Sequence, residues 1–281
     1  MSPPDPDLLS LNTATICKQW SLAQAIAGCA RHGIRGIAPW RDQLHEMGVE
    51  PAAHAIRGHG LTVTGLCRGG MFPAADAAGR RAAIEDNLRA VDEAQALSAR
   101  CLVLVAGGLP GGSKDIAGAR EQVRDGIAAI LPHSRQAGVP LAIEPLHPMY
   151  AADRACINTL GQALDLCDAL DPRIEGGLGV AVDVYHVWWD PALSAGIARA
   201  GRDRRILAYH VSDWRRETRD LLNDRGMMGD GVIDLRAIRA AVESAGYTGA
   251  VEVEIFSTLD WWRREPAETL AACAERLQTV C

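Results

Sequence analysis

The sequence predicts an α/β protein folded as one (β/α)8, or TIM, barrel over residues 1–281. Three observations lead there. The chain's 281 residues match the length of a single such barrel, which needs about 250. Eight short β-like runs alternate with helix-like stretches. Glu144, Asp183, His210 and Glu254 stand toward the ends of the last four runs, the end at which a barrel gathers its chemistry.

Each element has its own signal. The first run begins at Leu8 (LLSLNTATI), the second at Ile34 (IRGIAPW), the third at Leu61 (LTVTGLC) and the fourth at Arg100 (RCLVLVA). The fifth begins at Pro140 (PLAIEPL), the sixth at Gly177 or Leu178 (GLGVAVDV), the seventh at Ile206 (ILAYHVS) and the eighth at Ala250 (AVEVEIF). Between the third and fourth runs, Ile84, Leu88 and Val91 give a helix its buried stripe. Before the eighth run, Asp234 caps a helix whose inner face is Leu235, Ile238, Val242 and Ala245, and Gly246 ends it. No linker or low-complexity segment divides the chain. The glycine-rich residues 107–115 lack the spacing of a phosphate loop and read as a flexible active-site loop. Residues 214–234 form the other large insertion, placed to fold over the mouth.

Composition narrows the function. A hydrophobic content of 48% builds a sizeable core, and no apolar run approaches the roughly 20 residues that a membrane span requires. The N-terminal MSPPDPDLLS lacks the basic and apolar segments of a secretory signal, so a soluble, cytoplasmic protein is expected. Eight cysteines without a C-x-x-C pair read as reduced, small hydrophobic residues. A net charge of -6 disfavours a general nucleic-acid binder, because such affinity comes mostly from Lys and Arg neutralising phosphates.

Strand side chains alternate faces, so parity tests whether the four residues share an interior. With Leu141, Ile143, Val180, Val182, Val184, Leu207, Tyr209, Val211, Val251, Val253 and Ile255 turned toward the helices, the inward set is Ala142, Glu144, Ala181, Asp183, Ala208, His210, Glu252 and Glu254. All four candidates pass. Three carboxylates converging in a partly dry cavity repel one another and lose hydration, a cost that a divalent cation offsets. Separate ion pairs with arginines are the structural alternative. Glu252, two residues deeper than Glu254, reads as an internal hydrogen-bond or salt-bridge partner.

These residues resemble a family, the xylose-isomerase-like TIM barrels, which include ketose 3-epimerases, hydroxypyruvate isomerases, inosose isomerases and dehydratases, and endonuclease IV. E-P at Glu144, D-x-x-H from Asp183, H-x-x-D from His210 and the terminal E-x-E strand occur in the family order. The resemblance implies that Glu144, Asp183, His210 and Glu254 bind one divalent metal. Oxygen-rich ligation with one imidazole suits Mn2+ first, with Mg2+, Co2+ and Zn2+ as alternatives. It also implies a small sugar or cyclitol substrate, Glu144 and Glu254 as the acid and base across an enediolate, and pairing of the chain into a homo-oligomer.

Two further substrate contacts follow from the same resemblance. His186 would hydrogen-bond a substrate hydroxyl, and Arg216, or its neighbour Arg215, would match the arginine that contacts substrate in the epimerases. His147, three residues after Glu144, offers a second acid or base and so keeps a β-eliminating lyase or dehydratase as the runner-up to an isomerase. Seven of the thirteen Phe, Tyr and Trp residues are Trp, and all seven follow predicted strands, where indole faces can stack on sugar rings. Trp188 is one of these. Arg68 and Lys114 are further candidates for an anionic substrate group. A non-catalytic sugar-binding barrel is the reading of another class. A nuclease is disfavoured, because the second and third runs end without the extra histidine ligands that endonuclease IV carries.

Overall fold

The computed structural model describes residues 3–281. Nine parallel strands form one sheet: β1 (Leu9–Asn12), β2 (Gly36–Ala38), β3 (Thr62–Val63), β4 (Leu66–Gly70), β5 (Leu102–Val105), β6 (Leu141–Glu144), β7 (Leu178–Asp183), β8 (Ile206–Val211) and β9 (Val251–Val253). Their order runs β3-β2-β1-β9-β8-β7-β6-β5-β4. The sheet closes between β2 and β4 through the parallel bridge of Trp40 with Cys67, where Cys67 N–H donates to Pro39 O at 3.0 Å. The predicted barrel is therefore present, with all eight predicted runs on strands.

The ninth strand arises because the third run breaks in two. β3 pairs with β2 and β4 pairs with β5. Thr64, between them, turns its hydroxyl inward to Ser10 Oγ at 2.7 Å and to Glu252 Oε2 at 2.8 Å. Those bonds draw the chain out of a continuous ladder. The mouth strands that sequence numbers five to eight are accordingly β6 to β9.

Helices α1 (Leu22–Arg31), α2 (Arg41–Met47), α3 (Val49–Gly58), α4 (Ala77–Ala96), α5 (Ile116–Ala137), α6 (Leu160–Leu170), α7 (Val184–Val187), α8 (Leu193–Arg202), α9 (Leu235–Ser244) and α10 (Pro266–Thr279) lie between and after the strands. Asp234 caps α9 as expected, its carboxylate accepting from Ala237 N–H at 3.0 Å, and Gly246 follows the helix at φ +89°. On α4 the buried stripe shifts to Asn87, Ala90, Val91 and Ala94, leaving Ile84 and Leu88 half-buried. Asn87 takes the inner position because it clamps the end of β4, accepting from Gly70 N–H at 2.6 Å and donating to Gly70 O at 2.7 Å. Only glycine fits there, since φ is +101° and a Cβ would stand 1.9 Å from Val105 O.

Two apolar cores result, and they divide by strand parity. Leu141, Ile143, Val180, Val182, Val184, Tyr209, Val211, Val251, Val253 and Ile255 pack in the large layer between sheet and helices. Cys67, Cys101, Val103, Ala142, Ala181 and Ala208 fill the interior. Small residues there leave room for the polar side chains of Asn12, Thr64 and Glu252, which bond to one another inside the barrel. Leu207 departs from the expected outward position and packs against the interior set. The register between β7 and β8 steps from Val180–Ile206 to Ala181–Ala208, so Leu207 is the extra residue of a bulge. All eight cysteines are free and seven are buried, as their use as small hydrophobic residues implies. Among the described residues, no helix is long and apolar enough to cross a membrane.

Candidate active site

The four residues singled out by parity meet at the C-terminal mouth. Glu144 closes β6, Asp183 closes β7 and caps the short α7, His210 is the penultimate residue of β8, and Glu254 follows β9 directly. One ligand atom from each lies within 4.8 Å of all the others, and all four side chains are buried. Metal–oxygen and metal–nitrogen bonds of about 2.0–2.4 Å place ligand atoms no more than about 4.8 Å apart, so this spacing fits a single ion. Three carboxylates and one imidazole are also the donor set that a hard or borderline divalent cation takes.

The surroundings tune each group. His210 Nδ1 is 3.0 Å from Glu144 Oε1, and its Nε2 is 3.5 Å from Glu252 Oε1. Burial opposes the imidazolium, but Glu252, Glu144 and Glu254 outweigh burial and hold His210 well above the usual histidine range. Burial, partly offset by Arg225 and reinforced by Glu144, pushes the Glu254 carboxyl up to about 8. Asp183 goes the other way: despite its burial, Arg225, the two histidines and the Tyr185 N–H hold it below the ordinary carboxylate value. Glu252 takes the internal role expected of it, accepting from Asn12 Nδ2 and Thr64 Oγ1, each at 2.8 Å.

A cavity of about 320 Å3 opens above the cluster, at the small end of ligand-pocket sizes. Glu144 and Glu254 line it, together with His186, Arg68, Arg225, Tyr150, Arg154 and Phe256. His186 is buried where the sequence places it, and burial lowers it to about 3, so its ring is neutral. Two donors converge on that ring, His147 N–H on Nδ1 at 3.3 Å and Arg225 Nη2 on Nε2 at 3.0 Å. A neutral imidazole accepts at one nitrogen only, and Asp183 Oδ2, 3.6 Å from Nε2, is the acceptor that an Nε2–H would find. Arg68 reaches the cavity because the ladder to β5 steps from Cys67 to Gly69 and leaves Arg68 as the bulged residue.

Four candidates lie elsewhere. Arg216 is exposed in a surface hollow with Arg215, Glu217, Arg219, Asp230, Leu259 and Asp260. His147 turns its ring into an aromatic stack, 5.0 Å from Trp214 and 5.6 Å from Trp189, while its Nδ1 accepts from Met149 N–H at 3.3 Å. Trp188 packs against Trp214 at 5.8 Å and does not line the cavity. Lys114 is exposed in the glycine-rich loop, whose first half is pinned by the bridge of Gly107 with Ala155.

The arginine that does enter the site is Arg225. Its Nη1 donates to Asp183 Oδ2 at 2.9 Å and Glu254 Oε2 at 3.2 Å, and its guanidinium lies over Tyr185 at 4.4 Å and Phe256 at 5.1 Å. Residues 214–234 carry it there by folding back over the mouth, as their position suggests. Asp213 pairs with Gly226 in an antiparallel bridge, and Arg225 N–H donates to Phe256 O at 2.9 Å. The Asp213 carboxylate also accepts from Trp214, Gly229, Gly231 and Ile233 N–H at 2.8–3.0 Å. The signal was present in the sequence: Arg225 is the one basic residue in the stretch LLNDRGMMGDG.

A closed parallel barrel with a buried carboxylate–imidazole cluster at its mouth defines a TIM barrel with a candidate metal site. The chain belongs to the xylose isomerase-like TIM barrel family, whose model matches residues 26–276. It is 22% identical over 281 residues to an inosose isomerase of Bacillus velezensis, covering 97% of this chain and 96% of that protein. Among solved structures it is similar to protein SMc04130 of Sinorhizobium meliloti 1021, with 61% identity, a TM-score of 0.96 and 99% of each chain covered. The IOLI protein with a bound zinc atom shares the fold at 20% identity and a TM-score of 0.81, with 95% of each chain covered.

Proposed function

We propose that this protein is a divalent-metal-dependent isomerase or epimerase of a ketose, keto-sugar or inosose, working by proton transfer through an enediolate. One observation carries the reading. Glu144 and Glu254 both line the cavity and both belong to the four-residue cluster, yet they come from strands separated by β7 and β8. Two carboxylates on separated walls are suited to removing a proton from one face of a carbon and returning one at the other.

Glu144, Asp183, His210 and Glu254 would hold the ion, which when bound polarises a substrate carbonyl and acidifies the neighbouring C–H. Mn2+ is the first expectation from the oxygen-rich donor set, and elemental analysis of purified protein distinguishes it from Zn2+. Glu254, desolvated and flanked by Arg225, is the carboxylate best placed to hold and release a proton near neutral pH. Arg225 stands as a donor at the same wall, where it would orient hydroxyls and stabilise developing oxyanion charge, and neutral His186, its ring nitrogens engaged by His147 N–H and Arg225 Nη2, helps to position it. The aromatic packing of His147 weighs against the eliminating alternative, which needs that ring as an acid or base in the cavity.

The test is solvent deuterium incorporation next to the carbonyl of keto-sugars and inososes, followed by NMR. Metal-dependent exchange, lost in Glu254→Gln, supports the reading. Ligand binding without exchange across the panel points instead to a non-catalytic sugar-binding barrel.

A further inference from the structure

A second, larger hollow adjoins the metal-site cavity at the same mouth. It measures about 770 Å3 and is walled by the segments that follow β1, β2 and β9, with Leu222 and Asn223 from the insertion after β8. Trp40, Leu222 and Phe256 line both spaces, so the two adjoin, with those three side chains as their common boundary.

Its chemistry is specific. Trp20, Trp40, Phe256 and Trp262 supply aromatic surface, all of it half-buried. The indole N–H groups of Trp40 and Trp262 are already bound, to Asn12 Oδ1 at 2.8 Å and Ala14 O at 2.9 Å. Those two rings are therefore fixed in orientation, and what they offer a ligand is carbon surface. Between them stand the exposed Asp42 and Glu46 carboxylates as acceptors, with the amides of Gln19 and Gln43 in the wall, their Oε1 atoms buried and without a hydrogen-bond partner among the described residues. Among the described residues that line the groove the one cation is Lys18, over the Trp262 ring at 5.6 Å, while Arg31 lies outside the lining over the Trp20 ring at 5.9 Å. Two carboxylates against one ammonium make the groove net negative, which repels phosphate and carboxylate substituents. Aromatic faces combined with acceptors, in a groove hostile to anions, describe a site for a neutral polyhydroxylated ring.

We propose that this groove is a second sugar subsite, so that the substrate is a glycoside: a keto-bearing ring in the inner cavity, joined to a neutral sugar unit lying along Trp20, Trp40 and Trp262. This deepens the isomerase reading and rests on it for the identity of the inner ring. Binding energy from the outer ring can then hold the reacting ring in register, as remote contacts do in other enzymes.

The experiment compares a keto-sugar methyl glycoside with the corresponding keto-disaccharides in the deuterium-exchange assay, using the full-length, metal-loaded protein. The expected result is a kcat/KM at least about tenfold higher for a disaccharide, the gain that a well-made aromatic contact supplies. Trp262→Ala removes that advantage and leaves the methyl glycoside within about twofold. Thr258→Trp, at an exposed groove position, gives the same loss by filling the space and guards against a folding defect. Equal kcat/KM for both substrates, or equal losses on both in the variants, overturns the subsite. Tryptophan fluorescence titration with the unoxidised disaccharides and their monosaccharides separates the two readings. Trp262-dependent preference for a disaccharide without exchange of any ketone keeps the subsite and rejects the isomerase, whereas exchange without that preference does the reverse. Light scattering completes the test: a dimer that Trp262→Ala dissociates makes the groove an interface between copies and overturns the proposal.

Discussion

Arg225 Nη1 lies 2.9 Å from Asp183 Oδ2, joining the insertion after β8 to the end of β7 inside the carboxylate–imidazole cluster. The same nitrogen reaches Glu254 Oε2 at 3.2 Å, so one side chain from a loop is bonded to two of the four expected ligands. A buried guanidinium is tolerated here because carboxylates and aromatic faces surround it.

Arg225 should therefore matter where Arg216 does not. Arg225→Ala leaves Asp183 and Glu254 without their shared partner, and breaking a buried ion pair from one side costs about 3–5 kcal/mol. Exchange activity should fall by at least about 10²-fold, with a lower melting temperature in metal-free protein. Arg216→Ala, at an exposed site, should stay within about twofold of the parent in activity. Equal behaviour of the two variants contradicts the placement of Arg225 as the working arginine.

The proposed acid–base pair makes a quantitative demand. At saturating metal, with loading confirmed by elemental analysis, Glu254→Gln and Glu144→Gln should each slow proton exchange by about 10²–10⁴-fold. Glu252→Gln acts differently, since Glu252 accepts from Asn12 and Thr64 inside the barrel; its main effect should be on the melting temperature. Full exchange in Glu254→Gln sinks the mechanism.

Metal binding should release protons, and the sign follows from two shifts. Glu254 is raised from 4.5 to about 8, and His210 is raised above its usual range. In metal-free protein the protonated forms are the favoured ones, so the stability they contribute is complete below the unfolded values and is lost as pH rises through the folded ones. For Glu254 that window runs from about 4.5 to about 8. The ion needs the carboxylate and the neutral imidazole, and so gains affinity across the same window. Calorimetry in buffers of different ionisation enthalpy should show proton release near pH 6.5 that declines above pH 8. At a free metal concentration about 100 times Kd, loading should stabilise the fold by about 2.7 kcal/mol. Chelator-treated protein should accordingly melt several degrees lower, by about 2–4 °C per kcal/mol.

His147 offers a discriminating substitution. Its ring packs against Trp214 and Trp189 outside the cavity, so His147→Ala should leave keto-sugar exchange within a few-fold, at a modest cost of about 0.5–1.5 kcal/mol in stability from lost ring contacts. Complete loss of turnover with the fold and metal intact would restore elimination as the leading chemistry.

Much of this site was legible in the chain because strand alternation is a local property. Once Glu144, Asp183, His210 and Glu254 are assigned to strand ends, period two and the barrel's curvature bring them to one face. Leu207 shows where parity fails, since a bulge adds a residue that no hydrophobic pattern announces. Arg216 shows a second failure. Counting residues from His210 assumes that the loop runs straight, whereas Asp213 accepts four backbone N–H groups and turns residues 214–234 back over the mouth, delivering Arg225.

What the sequence determined by itself is the barrel, the inward-facing cluster at the ends of its last four strands, and the small residues packed beneath it, because all of these follow from periodicity and side-chain size. The tertiary structure alone decided which further side chains, from a strand bulge and from loops, enter the cavity. Arg68 and Arg225 reach it and His147, Trp188 and Arg216 do not, because a loop's path is set by long-range hydrogen bonds and packing that leave no period in the sequence.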